Sequence, residues 1–174
     1  MQRLVRVFED FLYGFDSGVD VPMEAAHALV RGLDSPALID LAGLNRDDRL
    51  EIRDLIPTAA EELGVAIEPL KAVFERRVRE IAAAYLAGER EFIDALTGIL
   101  ALFWRYQDED IGYYCGNAML DLELWLDVRE FDHNVDSEAA AERDFRARAV
   151  TMVEGCGSCK LAWHRQTSTR AGEH

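Results

Sequence analysis

Apolar residues in this chain recur at intervals of three and four almost from end to end, and no stretch alternates with period two. Only a helix brings positions i, i+3, i+4 and i+7 to one side, whereas a strand needs every second residue. This spacing restricts the fold more than any other property of the chain. Leu4, Phe8, Phe11, Leu12 and Phe15 form the first stripe, which the loop Asp16-Ser17-Gly18 is expected to end. Asp20 can cap a second helix, with Pro22 near its first turn and Gly32 close to its end. Ser35-Pro36 opens a short helix that stops at Gly43. Asn45 is expected to cap the next, which carries Ile52, Leu55, Ile56, Ala59 and Leu63. Pro57 should kink or divide that helix, because it lacks an N–H for an interior turn.

Beyond Gly64 the stripes lengthen. Leu70, Val73, Phe74, Val78, Ile81 and Tyr85 precede the natural C-terminal cap Gly88, and Phe92, Ile93, Leu96, Ile99, Leu100 and Phe103 follow at once. The pair reads as an antiparallel hairpin at the centre of the core. From Asn117 to Phe131 the pattern doubles: Ala118, Met119, Leu122, Trp125 and Leu126 make one face, and Leu120, Leu124 and Phe131 lie nearly opposite, flanked by Val128. Such a helix is either central in a bundle or carries a partner on its second side. A last helix is expected from near Ser137 to Glu154, with Ala141, Phe145, Ala149 and Met152 inward. The expected architecture is therefore all-α, an irregular helical bundle of about six to eight helices with no substantial sheet. Residues 1–164 are expected to form a single helical domain, and 165–174 a flexible C-terminal tail.

Charge narrows the partners. Apolar residues (49%) and charged residues (30%) are in ordinary globular proportion, but the formal charge is −14. That surplus repels phosphate backbones and anionic lipid, and the one dense basic stretch, Arg76, Arg77 and Arg79, is interleaved with Glu75 and Glu80. Neither nucleic acid nor membrane is expected as a partner; a basic protein or a second copy of the chain is. Arg6, Glu9 and Asp10 interrupt any secretory h-region, the apolar run Ile99 to Trp104 is too short to span a bilayer, and three cysteines do not suit a disulfide framework. These features point to a cytoplasmic location.

The sharpest local motif is Cys156-Gly-Ser-Cys159 followed by His164. Thiolates at that spacing can share one zinc ion, the imidazole suits a third position, and Cys115 or His133 can supply a fourth. A closed zinc site ordinarily has two such knuckles, and only one is visible. The motif with Lys160 also resembles the thioredoxin active site, in which a helix N-terminus lowers the pKa of the first thiol. That family places the motif early in a βαβ unit, however, and no strands are expected here. In an all-helical setting the motif resembles the alkylhydroperoxidase-D and carboxymuconolactone-decarboxylase group, whose redox-active members carry Cys-x-x-Cys, a His after three residues and an upstream Glu in the proton relay. Here His164 follows after four residues, which rotates the imidazole by roughly 100°, and neither Glu142 nor Glu154 is clearly in register. The plainer alternative is that both thiols ligate nothing.

Glu24-Ala-Ala-His27 and Glu130-Phe-Asp-His133 resemble the Glu-x-x-His pairs of ferritin-like di-iron proteins, but the four long helices of that family cannot be laid out around them. The acidic runs Asp108-Glu109-Asp110 and Asp127 through Asp136 lack EF-hand spacing and read as solvated loops. Nucleophile elbow, phosphate-binding loop, zincin motif and dinucleotide fingerprint are absent, as is the Arg-to-His spacing of helical HEPN ribonucleases. No catalytic residue is assigned. Glu24 through Leu38, continuing as Leu41-Ala-Gly-Leu44, resembles the N-terminal half of an uncharacterised group of small helical proteins from GC-rich bacteria; the resemblance implies fold alone. The expectation is a non-catalytic, acidic protein-interaction module, possible kinds being immunity or antitoxin-like neutralising proteins, with Leu120, Leu124 and Phe131 on its contact face. The alternative is a zinc-binding or thiol-redox protein built on Cys156, Cys159, His164 and Cys115.

Overall fold

The computed structural model describes residues 1–106, 119–129 and 135–154. Among them the chain forms eight α-helices and no strand: α1 (Gln2–Tyr13), α2 (Val21–Val30), α3 (Pro36–Gly43), α4 (Arg49–Glu62), α5 (Leu70–Leu86), α6 (Phe92–Arg105), α7 (Leu120–Arg129) and α8 (Val135–Glu154). The all-α expectation holds. Two compact units divide the chain, Met1–Val73 and Phe74–His174, with the boundary inside α5.

In the first unit the helix ends follow local chemistry. Asp20 accepts a hydrogen bond from the Met23 N–H (3.0 Å), and Ser35 Oγ one from the Leu38 N–H (3.0 Å), so each satisfies a donor that its helix leaves open. At the end of α2, Gly32 takes φ 87°, the Gly32 N–H donates to Leu29 O and the Leu33 N–H to Ala28 O. This is the Schellman closure, which favours a residue without Cβ; Gly64 and Gly88 close α4 and α5 in the same way.

Two ends and one interior position differ from expectation. Helix α1 stops at Tyr13, ahead of Phe15, because Gly14 turns the chain left-handed at φ 69°. Helix α4 starts three residues later than an Asn45 cap would place it. Asn45 Oδ1 instead accepts from the Asp47 N–H (3.1 Å) and the Asp48 carboxylate from the Asn45 N–H (2.9 Å), a closed polar turn that hands the capping position to Asp48. Pro57 does not divide α4, which runs unbroken from Arg49 to Glu62 with Pro57 on its exposed side. The carbonyl it leaves without a partner can be hydrated there.

The core of this unit comes from its own four helices. Leu4, Phe8 and Phe11 of α1 are buried with Val21, Ala25 and Ala28 of α2, Leu38 and Leu41 of α3, and Ile52, Ile56 and Ala59 of α4. The small residues on α2 and α4 let neighbouring backbones approach closely.

In the second unit the expected antiparallel pairing of α5 and α6 is present. The Phe74 ring stands edge-on to Phe103 and Tyr106 (centroids 5.3 and 5.9 Å), while Ile81, two turns further along α5, faces Gly98 in the middle of α6. Helix α8 packs on α6 and α7. Phe145 on α8 is fully buried between Tyr85 (4.9 Å) and Phe92 (5.5 Å), and Ala141 and Ala149 share its face. The expectation for α8 holds for these three, while Met152 near the helix end is only half-buried, and the helix begins two residues before Ser137.

Candidate functional site

Helix α7 places its charges as its dipole requires, with Asp121 and Glu123 in the first turn and Arg129 in the last. Its rotation is set by two contacts to neighbouring helices, beside which Arg129 of α7 itself folds onto Trp125. The Trp125 indole Nε1–H donates to Ser137 Oγ on α8 (2.8 Å), the Trp125 ring lies 5.5 Å from Phe92 of α6, and the Arg129 guanidinium sits 5.8 Å from the Trp125 ring. Met119 and Leu122 are buried and Leu126 is half-buried as a result.

That rotation leaves the opposite side in water. Leu124 is 65% exposed and Val128 50%. On a helical projection Asp121 and Asp127 fall about 60° to either side of Leu124, and both are exposed. The outward face of α7 is thus an apolar ridge between two carboxylates. Of the two readings of this helix, enclosure on both sides does not hold for Leu124 and Val128. Of the contact residues expected from sequence, Leu124 stands on this face. Leu120 supplies the first residue of α7, its side chain outside the described set, and Phe131 lies outside the described residues.

The cysteine site cannot be placed alongside it: Cys115, His133, Cys156, Cys159 and His164 all lie outside the described residues, as does Glu130. Among the described residues no three His, Cys, Asp or Glu side chains gather in a way that could hold a metal ion.

Glu24 has a different part from the one its Glu-x-x-His motif suggests. Its side chain is only 4% exposed; Oε1 receives Arg31 Nη2 at 2.6 Å and Oε2 receives Arg3 Nε at 2.9 Å, while His27 Nδ1 stands 3.9 Å away. Two guanidiniums already neutralise the carboxylate, and a dication there would face their positive charge. The cluster ties α1 to α2. Its Arg31 was legible in principle, since i+7 returns to the same side of a helix; Arg3 was not, because nothing local relates it to Glu24.

A second polar cluster joins α5 and α8. The Tyr85 hydroxyl donates to Glu142 Oε1 (3.1 Å), and Arg146 lies over the Tyr85 ring at 4.9 Å. Burial first, and then the Glu142 carboxylate, raises the phenol's pKa above its ordinary value, outweighing the opposing effect of Arg146. A raised pKa keeps the phenolate scarce near neutral pH, and the contact joins α5 to α8. The sequence offered no signal for it beyond the inward registers of Tyr85 and Phe145.

Comparison of the chain with family models, with curated proteins and with solved structures finds no match to any of them.

Proposed function

We propose that this chain is a non-catalytic protein-interaction module that acts by covering a basic partner, in the manner of an immunity or antitoxin protein. The observation that carries the reading is the outward face of α7, where Leu124 and Val128 stand in water between Asp121 and Asp127. Leu124 and Val128 lie one turn apart on one face, and protein interfaces pair such an apolar centre with a polar rim. The chain's charge of −14 accelerates encounter with a positive surface from a distance, before any specific contact forms. Neither buried polar cluster competes as a reactive centre: Glu24 is neutralised by Arg3 and Arg31, and Tyr85 retains its proton.

The test is affinity isolation of the tagged full chain from its host at low salt, beside Leu124→Asp. A stoichiometric basic protein that is retained by the wild type and lost from the variant is expected. A partner held equally by both, or none under either condition, refutes the reading. Metal analysis of the same material addresses the cysteine-based alternative, for which stoichiometric zinc lost in Cys156→Ser would be decisive.

A further inference from the structure

We infer that the α7 ridge takes one particular kind of occupant, a basic amphipathic helix of another protein, laid along Leu124 and Val128 with arginines or lysines on both flanks of its own apolar stripe. The inference rests on the interaction reading above and specifies the partner's chemistry. Leu124 and Val128 are four residues apart, so they mark a line along the helix rather than a point, and a line of this kind is complementary to the i, i+4 stripe of a second helix. Asp121 and Asp127 border the line on opposite sides, so a partner needs positive charge on both flanks, as a helix with a narrow apolar stripe provides.

Among the described residues, the cation of α7 itself does not meet this demand. Arg129, the basic residue of α7, is turned onto the Trp125 ring on the buried side. Glu123 adds a third carboxylate beyond Asp127. A second copy of the chain fits less well, because a two-fold contact would bring the Asp121 and Asp127 pairs of both copies against one another. The exposed stretch is short. Ten residues of helix span about 15 Å, which suits a partner segment of three to four turns and a weak, salt-sensitive complex.

The test uses the full chain, labelled with ¹⁵N, and three synthetic helical peptides. The first has leucines at i, i+4, i+7 and i+11 flanked by arginines, the second the same leucines flanked by glutamates, and the third the arginines with its leucines scattered. Saturable binding of the first alone is expected, with amide shifts centred on Asp121, Leu124, Asp127 and Val128. Leu124→Asp should weaken it tenfold or more, and Asp121→Asn with Asp127→Asn should weaken it and flatten its salt dependence. Because Leu124 is exposed, its variant should unfold at the wild-type midpoint, which separates lost binding from lost fold.

Equal binding of the first and third peptides would show general attraction to an acidic chain and overturn the inference. So would shifts centred elsewhere, or self-association that Leu124→Asp abolishes. A host partner lost in Leu124→Asp while the first peptide fails would sink the basic-helix assignment and leave the interaction reading standing. A host partner unaffected by Leu124→Asp would remove both.

Discussion

Arg3 and Arg31 both reach Glu24, and the geometry predicts that removing the two together costs more than the sum of removing each. Glu24 is 4% exposed, whereas the side chains of Arg3 and Arg31 are 73% and 40% exposed. Loss of either arginine leaves the carboxylate one guanidinium, at 2.6 or 2.9 Å. Arg3→Ala should therefore cost about 0.5–1 kcal/mol, the range for a largely exposed pair. Arg31→Ala, which breaks a shorter and less exposed charged hydrogen bond, should cost about 1–2 kcal/mol. The double variant strands a buried carboxylate, for which the cost rises to about 3–5 kcal/mol. The coupling is then on the order of 1–2 kcal/mol. The cycle is best run in a His27→Gln background, so that the imidazole 3.9 Å away cannot substitute. Trp104, Trp125 and Trp163 all lie beyond Val73, so urea unfolding is followed by far-UV circular dichroism, which also reads the helices of the first unit. Additive losses, with the double variant no worse than about 2 kcal/mol, would refute the claim that Glu24 needs a counter-charge where it sits.

Three further outcomes follow from the second unit. Phe145→Ala removes a fully buried ring packed on Tyr85 and Phe92 and should lower its stability by about 3–5 kcal/mol in urea titrations read by Trp fluorescence; a loss under 1 kcal/mol would mean the aromatic cluster is not its core. Gly98→Ala should raise the thermal midpoint, since alanine gains about 1 kcal/mol of helix propensity and the atoms nearest the new Cβ are the movable end of Arg90 at 3.3 Å and Ile81 at 3.5 Å; a lowered midpoint would show that α5 and α6 cannot give way there. Tyr85 has its pKa raised in the folded state above the ordinary value of 10.0, so its contribution is fully present below that pH and is lost as pH climbs past it. Melting curves between pH 8 and pH 11 should fall more steeply for the wild type than for Tyr85→Phe, and identical slopes would contradict the proposed burial of the hydroxyl.

How much of this was legible beforehand depends on the range over which each interaction acts. The periodic stripes gave the helices, and Asp20, Ser35, Gly32 and Gly88 gave several of their ends, because a cap is satisfied by residues three to five positions away. Even local reading failed where two signals competed. Gly14 ended α1 before Phe15 could join it, and Asn45 spent its side chain on a turn that left Asp48 to start α4. Leu124 was identifiable as lying opposite the main apolar face of its helix, since that is a matter of angle around one axis.

The amino-acid order alone determined the secondary structure and the two faces of α7, because hydrophobic period and capping chemistry are written within a few residues of where they act. Which face of α7 meets water was decided by tertiary structure, through the Trp125–Ser137 hydrogen bond and the Phe92 ring that fix its rotation. The same holds for Glu24, whose neutralisation by Arg3 depends on two helices meeting, and for Tyr85, paired with a carboxylate 57 positions away. Burial and charge pairing depend on distance through space, and a linear pattern records that distance only along the chain.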